Sequence, residues 1–168
     1  MRRKASISII QGVGINILAL SSMNNPCAKA PYPGSQAEIH EILELAEAYY
    51  AAAIALFQSA QKEAPLSYAP ARLCSIHAIE LYLNAFLRHQ GIPPEEIRGR
   101  MHNLADPTFV AALKLRKKTA THLATMTERR EYLISRYAPE LASQHTELNR
   151  LTATLIEIMT KATKHIRS

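Results

Sequence analysis

Apolar residues along this chain recur at steps of three and four, the spacing of a helix face and not of a strand. From Ile39 through Ile42, Leu43, Ala46, Tyr49, Tyr50, Ala53, Ile54 and Phe57 to Ala60 the pattern predicts one long amphipathic helix. Ser35 and Glu38 form an S-x-x-E capping box before it. Pro65 in "KEAPLS" ends it, because proline cannot continue a helix and disfavours helical geometry in the residue before it. A second helix is expected from about Tyr68 to Gln90, stopped by Gly91 and followed by Pro93 and Pro94. "PPEEIRGR" reads as one helical turn. In "HNLADP", Asp106 is placed to cap and Pro107 to open a third helix, which the pattern carries on into "KLRKK" with its cations at the C-terminal end. Leu123, Met126, Leu133, Ile134 and Tyr137 mark a fourth helix ending before Pro139. A fifth runs from Leu141 through Leu148, Leu151, Leu155 and Ile158 to Ile166, with His145 on its apolar stripe. No strand signal, internal repeat or low-complexity segment interrupts the series. The short connections imply an all-α chain, an antiparallel helical bundle of about five helices.

Composition narrows this picture only a little. With 168 residues, 48% hydrophobic and 20% charged, the chain is long enough for a single domain with its own core. The net charge of +6 suits an anionic partner such as RNA or nucleotide. Much of it, however, sits in "MRRK", "KLRKK" and "KHIRS", where solvated tails and helix ends explain it equally well. Cys27 and Cys74 show no ligand spacing and fit a reducing cytoplasm. The opening "MRRKASISIIQGVGINILALSS" has the outline of a signal peptide, but Gln11, Gly12, Gly14 and Asn16 dilute an apolar run that is also too short to cross a membrane. Residues 1–35 are therefore read as a disordered or mis-annotated extension, with Met23 as an alternative start, and residues 36–168 as the domain. Secretion is the competing reading of that segment.

Candidate chemistry falls in two places. On the second helix, steps of 100° put Glu80 within the apolar arc, with His77 and Asn84 at its flank. A carboxylate there needs donors or must shift its pKa. It either ties helices together or orients a cation at a site, and the sequence leaves both open. The second place is "IRGRMHNL", which crowds Arg98, Arg100, His102 and Asn103 into a short stretch. A histidine with arginines is the minimum equipment for metal-independent RNA cleavage through the 2′-hydroxyl. The plainer alternative makes His102 and Asn103 loop caps and leaves both arginines solvated. Arg72 and His77 lie about 140° apart on one helix and do not converge. Zinc motifs, glycine-rich phosphate loops and nucleophile elbows are missing, so no metal or other cofactor is expected.

Three stretches resemble the HEPN domain, a small helical bundle of prokaryotic defence and toxin–antitoxin systems. "HAIELYLNAFLRHQGIPPEEIR" resembles that family's second helix and turn, "MHNL" its G-H-D-L step, and "EYLISRYAPE" the tyrosine-rich helix that ends in R-Y-P. With the helix order, the likeness spans about residues 36–166. It implies a dimer whose site lies where two protomers meet. It also implies either a metal-independent ribonuclease or a binding protein acting with a small nucleotidyltransferase partner. Carried onto this chain, it selects Glu80 as the helix-two acid, His102 as the G-H-D-L histidine, and Arg136 with Tyr137 as the R-Y pair. The chain departs from the pattern at Asn84 for lysine, Met101 for glycine and Asn103 for aspartate. No well-placed R-x(4–6)-H motif is apparent at the start of a late helix. The expectation is a non-catalytic, dimeric binding protein with Arg98, Arg100, His102 and Arg136 on an anion and Glu80 beneath His102 as its orienter. A ribonuclease with a variant Arg98/His102 pair and a plain interaction module are the alternatives.

Overall fold

The computed structural model describes residues 32–168, of which residues 33–168 form one compact unit. The expected extension and its alternative start lie outside the described residues, apart from the stretch 32–35. Among the described residues every regular element is helical. These residues form seven α-helices: α1 Ile39–Ser59, α2 Ala69–His89, α3 Pro94–Gly99, α4 Pro107–Ala112, α5 Lys117–Glu128, α6 Glu131–Tyr137 and α7 Leu148–Arg167. Two short 3-10 turns, Pro65–Tyr68 and Pro139–Gln144, complete the series. No helix among these residues is long and apolar enough to cross a membrane.

The four long helices alternate in direction. Arg88 near the end of α2 reaches the Ala37 carbonyl just before α1, so these two run antiparallel. Arg116 and Thr119 at the start of α5 meet Glu157 in mid-α7, whereas His122 further along α5 meets Thr154 and Thr146, so that pair is antiparallel as well. α2 is the central helix, packed by α1, α6 and α7. Its small residues Ala71, Ala78 and Ala85 let neighbours approach one side, while Ile79, Leu83, Phe86 and Leu87 fill the core on the other.

Four sequence expectations are corrected, each for a local reason. Gly34, at φ +83°, spends Ser35 in a turn, and the helix cap moves to Glu38, whose amide donates to Glu41 at 2.8 Å. The third helix does not carry through "KLRKK". Lys114 adopts φ +48°, with its amide on Ala111 and the Leu115 amide on Val110, a Schellman stop without a glycine. Gly91 makes the same stop at α2, as expected, because glycine meets no steric cost there. The fourth helix divides at Arg130, at φ +52°, into α5 and α6. The fifth begins at Leu148, which leaves His145 in the turn before it, bonded to Ser135 and the Ala142 carbonyl. Among the described residues seven α-helices thus stand where about five were expected. In both the third and fourth helices, a cation occupies the left-handed position where glycine usually signals a break.

Candidate functional site

The sequence "RGRMHNL" turns between α3 and α4 through two consecutive left-handed residues, Met101 at φ +46° and His102 at φ +66°. Non-glycine residues in this region cost on the order of 1 kcal/mol each, so the surroundings must hold them there. They do so from both sides. Asn103 accepts the Ala105 amide at 2.9 Å, and the Leu104 amide donates to the Thr127 hydroxyl at 3.1 Å, with Leu104 buried beneath. Asp106 caps α4 through the Thr108 amide at 2.7 Å, as its position before Pro107 led us to expect.

This turn delivers the His102 ring to Glu80 on α2. Nδ1 lies 2.9 and 3.0 Å from the two carboxylate oxygens. With Glu80 ionised, Nδ1–H is the donor, which leaves Nε2 as the nitrogen that Glu80 does not engage. The other face of the geometry is supplied by α6, where the Tyr132 ring lies 4.5 Å from that of His102 at 32°. His77 stands 3.9 Å from Glu80, too far for a hydrogen bond, and is held edge-on against Tyr49. Burial works to raise the Glu80 carboxyl, but His77 and His102 outweigh it and hold the group below its usual value. Glu80 is thus an ionised orienter gripping an imidazole that remains 41% exposed.

The arginines divide differently from the sequence expectation. Arg100 pairs with Asp106 at 2.5 Å, and its guanidinium lies 4.4 Å over the Phe109 ring. It helps hold α4 in place and does not join His102 in an anion clamp. Arg98 is exposed at the end of α3. Arg136 is exposed on α6, four residues after Tyr132 and so one turn along the same face, while Tyr137 points elsewhere with 75% exposure. Asn84 lines a cleft of about 20 Å³ together with Glu80, Ile97, Arg100, His102 and Phe109. That is room for about one water-sized group, so a nucleotide or phosphate must sit on the surface above it. A larger hollow of about 410 Å³ opens where α1 begins and α7 ends, but its lining mixes Glu38 and Glu44 with His40, His89 and Arg167. No group of three metal-ligating side chains gathers among the described residues.

An Arg/His pair with five intervening residues does stand at the start of a late helix, contrary to the sequence expectation. It is Arg116, the residue before α5, and His122 within it. It went unseen because "KLRKK" reads as the end of a helix. The pair does not converge. Arg116 is 83% exposed, whereas His122 is buried with Nδ1 2.8 Å from Thr154 and Nε2 2.8 Å from Thr146. The spacing gave Arg72 no role, but it is buried, donates to the Thr146 carbonyl at 2.7 Å and lies 3.8 Å from buried Glu131. Glu131 in turn accepts the Thr146 amide at 2.8 Å. These groups clamp the turn before α7 and form an internal network facing away from solvent. As expected, Arg72 and His77 do not meet.

No family model, curated protein or solved structure matches this chain.

Proposed function

We propose that this chain is a HEPN-like helical binding protein that acts as a dimer and holds RNA or a nucleotide on the His102 surface, with a nucleotidyltransferase as its protein partner. One observation carries the reading. Glu80 fixes the His102 imidazole from one edge while Tyr132 stacks on its face, so an exposed ring nitrogen is presented in a set orientation. Such a group can donate to or accept from a phosphate or a base, and the adjoining aromatic face can stack one. Arg136, on the Tyr132 side of α6, supplies a cation within the same surface. Binding is favoured over cleavage because Arg100, the cation nearest in sequence, is engaged by Asp106 and Phe109. Leu45 and Ala48 on the outward side of α1, with exposed Tyr137, support self-association through a helical face.

A carboxylate-oriented histidine is also the arrangement of a general base with its orienter, and this keeps metal-independent RNA cleavage as the second reading. The two separate in one experiment. His102→Ala and Tyr132→Ala are expected to weaken binding of a labelled single-stranded RNA at least tenfold, the scale of one lost base stack. Turnover in the presence of a chelator should stay at background in wild type and variants alike. Robust chelator-resistant cleavage that His102→Ala abolishes would replace the binding reading with the ribonuclease. Unchanged RNA and nucleotide affinity in both variants would leave only the plain interaction module.

A further inference from the structure

The basic stretches "KLRKK" and "KHIRS" belong to separate helix ends in sequence, and the fold joins the first of them to the Lys161–Lys164 turn that leads into the second. Lys161 on α7 donates to the Lys114 carbonyl in the α4–α5 elbow. Glu157, one turn earlier on α7, takes Lys161 at 2.8 Å, the Arg116 amide at 2.9 Å and the Thr119 hydroxyl at 2.7 Å. Lys164 lies on the same stripe of α7, seven residues after Glu157. Lys114, Arg116, Lys117, Lys118, Lys161 and Lys164 therefore gather around the start of α5. Of these six cations only Arg116 and Lys161 lie within 4 Å of the buried Glu157 carboxylate. No Asp or Glu occurs from Pro107 to Thr127, and Glu157 is the sole acid of α7. The opposite sign is collected on α1, where Glu38, Glu41, Glu44 and Glu47 occur without a lysine or arginine.

The fold uses Lys161 and Arg116 to hold Glu157, but it gives Lys117, Lys118 and Lys164 no such role. Lys117 and Lys118 sit in the first turn of α5, where the helix dipole disfavours cations, and both are exposed, as is Lys164. The exposed residues between them are small or hydroxylated, namely Ala111, Ala112, Thr121 and Thr160. The large exposed Ile156 lies 140° round α7 from Lys161 and, two turns before Lys164, 80° round from it. A membrane surface or a protein partner would be met by apolar anchors among the charges. Cations interleaved with hydroxyls instead match the contacts made to phosphate oxygens.

We infer that the ridge formed by the α4–α5 elbow and the C-terminal half of α7 binds the phosphate backbone of a nucleic acid. It does so with side chains other than those of the His102 surface, and the inference stands whether or not that surface binds RNA. The test is fluorescence anisotropy of the full chain with a labelled single-stranded RNA and a duplex DNA of equal length, across a salt series. Combined Lys117→Gln, Lys118→Gln and Lys164→Gln should lower affinity for the preferred strand at least tenfold. The slope of log affinity against log salt should fall by roughly two for RNA, about 0.7 for each cation removed. Helical content should be unchanged, and the matching three Lys→Arg substitutions should retain affinity and slope. His102→Ala should leave the salt slope intact, which separates failure here from failure of the His102 reading. Equal affinity and slope in the wild type and the folded glutamine variant would overturn the inference. So would binding to phosphatidylserine vesicles with none to either nucleic acid, or salt-sensitive self-association, lost in the glutamine variant, with no nucleic-acid binding.

Discussion

Glu157 on α7 caps α5 from another helix, accepting the Arg116 backbone amide at 2.9 Å while also holding the Thr119 hydroxyl at 2.7 Å. A cap normally comes from the residue beside the helix start. Here that residue is Arg116, which cannot accept, and the tertiary contact takes its place. Burial opposes the Glu157 carboxylate, but Lys161, Thr119 and the Arg116 amide outweigh it and bring its pKa down to about 2.

The sign of its pH effect follows from that depression. The stabilisation is fully present above the unfolded value of 4.5 and is lost as pH falls from there towards about 2. Glu157→Gln keeps the shape but loses the charge-assisted bonds. It should cost roughly 1–3 kcal/mol at neutral pH, as disruption of a buried polar group does. Urea titrations of wild type and variant at neutral pH and at pH 3 would check this. The gap should narrow at the lower pH, and a constant gap would show that Glu157 carries no charge-dependent stability.

His122 acts in a higher window. Burial first, then Arg150 and Arg72, lowers its pKa from 6.5 to about 4. The unfolded chain therefore binds a proton that the folded one refuses. Stability should fall as pH drops from 6.5 to about 4, by at most about 3 kcal/mol. His145 is lowered as well, by burial and Arg72 acting against Glu131 and the Ala142 carbonyl, and it adds in the same direction. Thermal melts between pH 7 and pH 4 should show this loss in wild type and a smaller one in His122→Gln. Identical slopes would mean that His122 is protonated without cost in the fold.

Met101 stands at φ +46° with 81% of its surface exposed, so its side chain contributes little packing to offset the strain. Met101→Gly should stabilise the protein by about 0.5 kcal/mol at most, the left-handed penalty less the extra entropy of an unfolded glycine. Denaturant midpoints measure this directly. A destabilised Met101→Gly would show that the turn is held by the methionine itself.

Residues 36–168 carry their helical character in local pattern. The 3.6-residue periodicity, Pro65 and Pro139 as breakers, Gly91 as a stop and Asp106–Pro107 as a start are all short-range effects, and each is present in the fold. The joining of Glu80 to His102 was legible only as a possibility. Their separation of 22 residues is closed by a turn whose left-handed residues are methionine and histidine, not the glycines that would have marked it. The same absence hid the breaks at Lys114 and Arg130, and with them the true start of α5. Cap, burial and partner choice were beyond the sequence because they are set by contacts between distant segments. Glu157 serves α5 across 41 residues, Arg72 reaches Thr146 across 74, and Arg100 turns to Asp106 and Phe109 once α4 is in place. Local periodicity determines which segments coil. Only the packing of those coils decides which charges are neutralised inside and which are left on the surface.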